Sequence, residues 1–224
     1  MREYLGIALT VFWKDFLLEI RAKEVVTPII VFAFLVLVTF NFAFEPSPAL
    51  LAVIAAGTLW VSFTFAGILG LNRMFALEKE KGGLDGLLLC PVSRDVLYIG
   101  KLLSSFVFML TIEAVMLPVF STIFNLPFFL PELWLLTVLA TLGFAAVGTV
   151  FSAMAVNTRA REVLLPVLFF PVVVPVIIAA VESTGAIFRA EDWTEFSRWL
   201  QLTAAFDAVF LVAAAVLFQY VVQE

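Results

Sequence analysis

Few residues in this chain of 224 have the chemistry to react with anything. There is no histidine, which removes the usual general base and the commonest metal ligand, and no Ser–His or Cys–His nucleophile pair can form. The single cysteine, Cys90, allows no internal disulfide and no thiolate cage; between Leu89 and Pro91 it reads as a small packing residue. Gly100-Lys101 has the ending of a phosphate-binding loop, but the required upstream glycine is Asp95 and the required hydroxyl is Leu102, so the pattern fails. No catalytic residue, metal site or nucleotide site is assigned. Two acids remain inside apolar runs. Glu113 shares a helical face with Met109 and Met116 and is the candidate intramembrane polar site; the reading preferred for it is a protonated or hydrogen-bonded structural group, with a cavity-lining role as the alternative. Asp207 is expected nearer the outer end of its run, at a different depth, and structural.

The elements that must position these groups are set by composition. The chain is 63% hydrophobic and only 14% charged, with a mean hydropathy of +1.12. A soluble domain cannot hide that much apolar surface, so the class is an all-α polytopic membrane protein. Six apolar runs are long enough to cross a hydrocarbon core of roughly 30 Å: 25–44, 50–71, 102–126, 133–156, 163–181 and 199–222. Residues 1–24 carry an apolar stripe (Leu5, Leu9, Phe12, Trp13, Phe16, Leu17, Ile20) with charges mostly beside it, which predicts a helix lying in the membrane interface. Acids within 1–24 also argue against a cleaved signal. The whole chain, 1–224, reads as one membrane domain.

Eleven of the 13 Lys and Arg fall in three segments: the N-terminus, the connection 72–101 and the loop 157–162. The remaining two, Arg189 and Arg198, lie in an acidic segment at 182–198, expected to be an outer interfacial helix or a re-entrant cap. This asymmetry places both termini and the 72–101 connection in the cytoplasm. Pro166, Pro171 and Pro175 predict a kinked fifth span. The five tryptophans read mostly as interfacial anchors, while Trp60 falls inside the second span.

The connection contains ALEKEKGGLDGLLLCPVSRD: a charged helical run, a turn at Gly82-Gly83, a leucine-rich turn, a break at Pro91, and Ser93 placed to cap the next helix. An interfacial helix, six spans and this hairpin resemble the permeases of ABC-2-type exporters. The run LWVSFTFAGILGLNRMFALEKEKGGLDGLLLCPVSR and the proline-spaced REVLLPVLFFPVVVPVIIAA are similar to the CcmB family, the membrane subunit of the haem exporter of cytochrome c maturation. The resemblance covers nearly the whole chain and is strongest over 59–101 and 157–180.

That resemblance implies a homodimeric half-transporter in the bacterial inner membrane. An ATPase of the CcmA kind would supply ATP and Mg chemistry, and CcmC-like and CcmD-like membrane subunits and a periplasmic chaperone of the CcmE kind would complete the system. Lipid would surround it, nucleic acid has no place in it, and haem would be cargo with no covalently bound cofactor. The missing histidines suit a subunit that transmits force rather than one that ligates haem. The hairpin would dock into a groove on the ATPase. The segment from Glu78 to Arg94 would make the contact: Leu84, Leu87 and Leu88 would give apolar contact, Glu80, Lys81 and Arg94 would fix orientation, and Gly82, Gly83, Pro91 and Ser93 would shape the turn. The competing readings are an ABC-2 permease for a drug, lipid or glycan, and a non-transporting membrane scaffold.

Overall fold

The computed structural model describes residues 2–21, 23–44, 48–89, 92–127 and 129–221. Among them the elements run α1 (Arg2–Arg21), α2 (Lys23–Ala43), α3 (Pro48–Glu80), α4 (Gly83–Leu88), α5 (Arg94–Phe124), α6 (Pro131–Ala155), α7 (Arg161–Phe188) and α8 (Trp193–Val221), with no strand. Six of these helices are long and apolar enough to cross a membrane. The all-α, six-span expectation holds.

α6 and α3 form the buried centre, and α2 and α8 lie at its edge with most of their surface turned outward. Small and hydroxyl-bearing residues let the central helices approach closely. Gly148 of α6 sits directly beneath Leu71 of α3 and the ring of Phe169 of α7. Trp60 is fully buried there, inside the second span. Its ring stands edge-on to Phe63 and Phe144, and its Nε1 donates 2.8 Å to Thr184 Oγ1 on α7. Thr58, Ser62, Thr64 and Thr137 return their hydroxyls to the carbonyl four residues earlier, so these polar groups are satisfied within their own helices.

Three helices run beyond the apolar windows. α3 has 33 residues, about 50 Å at 1.5 Å per residue, and so outlasts a bilayer core by several turns; the charged helical run 78–80 is its tail. α5 begins at Arg94, eight residues before the span expected at 102. The expected outer helix or cap at 182–198 does not form. α7 continues to Phe188 and α8 starts at Trp193, because Ser183, Thr184 and Ala186 are buried core contacts that keep the helix wound. α7 is also one continuous helix across Pro166, Pro171 and Pro175, with Phe169, Val173 and Val176 buried between them.

α1 uses two faces. Tyr4, Leu5, Leu9 and Trp13 point away from the bundle, as an interfacial helix requires, while Ala8, Val11 and Asp15 pack inward. The inward face meets α5 at Gly100, where an added Cβ would lie 2.8 Å from Val11 Cβ and 3.0 Å from the Ala8 carbonyl oxygen. A β-branched side chain and backbone cannot yield as a flexible chain end can. Gly100→Ala is therefore expected to lower stability by about 1–3 kcal/mol and to loosen α1, measured as a lower thermal midpoint and faster proteolysis within residues 2–21.

Candidate functional site

The hairpin is built from the bottom of α3 upward. Lys81 and Gly82 donate to the carbonyls of Leu77 and Lys79, and Gly82 takes a φ of +69°, a left-handed conformation that glycine adopts without strain. α4 follows as less than two turns. Ser93 stands at the N-cap of α5 in an extended conformation; its side chain makes no capping bond, contrary to expectation, while its carbonyl accepts from Val96 and Leu97. Cys90 and Pro91 lie outside the described residues, as do the side chains of Leu84 and Leu88. Leu87 is half-buried, and Leu89 is 88% exposed, the most exposed large apolar side chain among those described in the hairpin. Leu89 was not among the residues singled out from sequence, because a run of leucines does not reveal which one faces outward.

Both arms of the hairpin are pinned by charge. Lys101, from the third turn of α5, donates to Asp15 Oδ2 of α1 at 2.8 Å and to Glu78 Oε2 of α3, and its ammonium lies 5.6 Å from the centre of the Phe75 ring. Lys14 adds bonds of 2.5 Å to Glu78 and 3.0 Å to Asp15. The four charges sum to zero. Asp15, Glu78 and Lys101 are each no more than 6% exposed. Burial works against the charged form of Lys14, but the Glu78 and Asp15 carboxylates outweigh it and its pKa is raised. Glu78, expected within the partner-docking segment, is thus an internal tie between α1, α3 and α5.

Further contacts gather at the same end. Arg94 donates 3.2 Å to the Gln219 carbonyl of α8, and Gln219 donates back to Asp95. The Tyr98 and Phe218 rings meet at a tilt of 48° with their centres 5.4 Å apart. Glu80 pairs with Arg161, the first residue of α7, at 3.1 Å on the surface. Residues of the N-terminal helix, the hairpin, the 157–162 loop and the last helix therefore share one end of the bundle. Glu80, Lys81, Gly82 and Leu89 remain open to a partner, with Arg94 half-buried and Gly83 partly covered.

The two intramembrane acids are not at different depths. Glu113 meets α6 at Thr141, and Asp207 occupies the space left by the missing side chain of Gly143, both within a turn of the midpoint of α6. Two residues are 200° around a helix, so the acids lie on opposite faces of α6 and form no dyad. The Thr141 hydroxyl is 2.6 Å from Glu113 Oε2 and 2.7 Å from the Thr137 carbonyl oxygen. With one hydrogen to give, it serves both contacts only when the Glu113 carboxyl carries a proton and donates it. Glu113→Gln keeps a donor at that position and is expected to change stability by less than about 1 kcal/mol, whereas Glu113→Leu leaves the Thr141 oxygen without one and costs about 1–3 kcal/mol. Infrared spectroscopy checks the protonation directly: a buried carboxylic-acid C=O band should vanish in Glu113→Gln. Asp207 is also buried, and neither of its carboxylate oxygens has a partner among the described residues. No group of three or more His, Cys, Asp or Glu suited to a metal occurs among the described residues.

Six apolar helices carrying an ion-clamped hairpin at one end define a multi-pass membrane protein. The CcmB protein family model matches residues 6–223, and the chain belongs to that family. It is similar to the Heme exporter protein B of Pseudomonas aeruginosa, 30% identical over 186 residues covering 82% of this chain and 83% of that one. The Rhodobacter capsulatus protein of the same name is 31% identical over 172 residues, 75% and 78% of the two chains. The Paracoccus denitrificans protein is 30% identical over 171 residues, 76% and 78%.

Proposed function

We propose that this chain is the permease subunit of the haem exporter acting in cytochrome c maturation, coupling ATP hydrolysis on a partner chain to haem export or to release of the haem-loaded periplasmic chaperone. The observation that carries this reading is the match to the family from residue 6 to residue 223, with relatives named as haem exporters over more than three quarters of their length. The chain is not itself an enzyme in this reading; ATP and Mg bind the ATPase. The working unit is a homodimer of the single domain 1–224, held in the bacterial inner membrane with a CcmA-like ATPase, CcmC-like and CcmD-like subunits and a CcmE-like chaperone. Both termini and the hairpin face the cytoplasm, a topology supported by the charge asymmetry and by the gathering of α1, the hairpin and the end of α8 at one end.

The hairpin supplies the mechanism. A short helix on a free loop would absorb a push from the ATPase by bending. α4 instead hangs between two arms whose ends are tied to α1 by buried charge, so its displacement is passed to α5 and α1 together. Glu80, Lys81 and Arg94 would orient the ATPase, and the leucines would seat in its groove. The test is purification of the tagged chain in mild detergent, with mass spectrometry of what accompanies it. An ATPase with haem-handling membrane subunits is the expected result. An ATPase alone would redirect the reading to another cargo, and neither would overturn the coupling role.

A further inference from the structure

Outside the clamp, a groove of about 440 Å³ opens between α3 and α7, lined by Leu69, Asn72, Arg73, Arg161, Glu162 and Pro166, among others. Its two walls carry the same gradient in opposite chain directions. On α3, Arg73, Leu69 and Phe65 follow one another at four-residue steps down one face; on α7 the matching series is Glu162, Pro166 and Phe170. The Phe65 and Phe170 rings meet 5.4 Å apart below the groove. Moving into the bilayer, the lining thus changes from charged, to aliphatic, to a closed aromatic floor. Any ligand fitting it is amphipathic and stands parallel to the lipids.

The polar level has its own signature. Arg73 is exposed, and its side chain has no ion pair or hydrogen bond among the described residues. Arg161 is half-buried, with its one contact to Glu80 made at the surface. Pro166 has no N–H for the carbonyl of Glu162, so an acceptor is left without its helical donor at the same level. Two guanidiniums suit a phosphate. The Glu162 carboxylate beside them opposes a head group that is only anionic and accepts from a primary ammonium.

We propose that this groove is a binding site for an aminophospholipid, with its phosphate on Arg73 and Arg161, its ammonium toward Glu162, and its first methylenes along Leu69 and Pro166. The site is indifferent to the cargo. Its lipid would brace α3 against α7 at the level where the hairpin arms leave the membrane.

The experiment uses the intact chain purified with its partners, stripped of lipid by detergent exchange, and read by native mass spectrometry. Phosphatidylethanolamine, phosphatidylglycerol, phosphatidylcholine and inorganic phosphate are added separately. Phosphatidylethanolamine should be retained about tenfold more than either other lipid, and Arg73→Gln should remove that retention. Glu162→Gln should keep phospholipid binding but lose the preference over phosphatidylglycerol. Arg73 and Glu162 are exposed and outside the core, so both variants fold, and unchanged thermal midpoints in the lipid-free state check this. Equal retention in wild type and Arg73→Gln, preference for phosphatidylglycerol in the wild type, or full displacement by millimolar inorganic phosphate would each overturn the proposal.

Discussion

Lys101→Met should be among the most damaging single substitutions in this chain, with a loss of about 3–5 kcal/mol. The ammonium is the centre of the buried cluster: it holds Asp15 of α1 and Glu78 of α3 from α5. Removing it leaves two buried carboxylates facing one lysine, Lys14, and the cluster goes from neutral to one net negative charge. The cost is chiefly that of an uncompensated buried charge, not the lost worth of one contact. A midpoint lowered by on the order of 10 °C in detergent is the expected reading. The cycle is completed by Glu78→Met. Alone it leaves the two lysines facing Asp15 and should also destabilise; combined with Lys101→Met it removes one charge of each sign and should recover most of the loss. If Lys101→Met melts with the wild type, the cluster is no clamp. The double variant also separates folding from coupling. If the charge tie transmits force, the chain with Met at both positions assembles with its ATPase but supports little turnover.

How much of this was legible beforehand depends on the range of the interaction concerned. The six spans and the end at which the charges gather follow from hydropathy and from Lys and Arg counts, which are local properties, and the structure has the six apolar helices where they were expected. The helix ends followed only in part. The charged run stopping at Gly82-Gly83 and the place of Ser93 mark the end of α3 and the start of α5, whereas the segment 182–188 is polar by composition yet stays helical because Thr184 finds a partner on α3. The clamp itself joins residues 64 and 86 positions apart. No window along the chain brings Asp15 beside Lys101. Sequence alone therefore groups Glu78 with its exposed neighbours Glu80 and Lys81 in one docking segment. A signal did exist: Gly100, next to Lys101, marks a close approach on α5, although nothing in the sequence says that α1 makes it. Glu113 and Asp207 were placed at separate depths by counting from span ends, and the helix extensions of α5 and α8 moved those ends.

The second large effect belongs to the tip of the hairpin. Leu89→Asp should leave the membrane domain folded, because a side chain 88% exposed has little packing to lose. In the coupling reading its role lies with the partner. An exposed leucine between α4 and α5 is costly to leave in water, and seating it in an apolar pocket of the ATPase would make it an anchor of the contact, with Leu87 half-buried behind it. An aspartate there puts a charge into that pocket. A cost of at least about 2 kcal/mol corresponds to roughly 30-fold weaker association. The measurement pairs ATPase recovery on the tagged chain with ATP turnover of whatever is recovered. Lys81→Ala, at the rim, serves as the comparison and should change recovery by less than about threefold, a difference that fades as salt is raised because salt screens the same rim charge. Wild-type recovery and turnover with Leu89→Asp would remove the leucine-rich tip from the coupling contact. The ion clamp would then be a structural tie between α1, α3 and α5, and the path from ATP to the membrane would have to enter through another segment at the same end, such as the 157–162 loop, joined to Glu80 by Arg161.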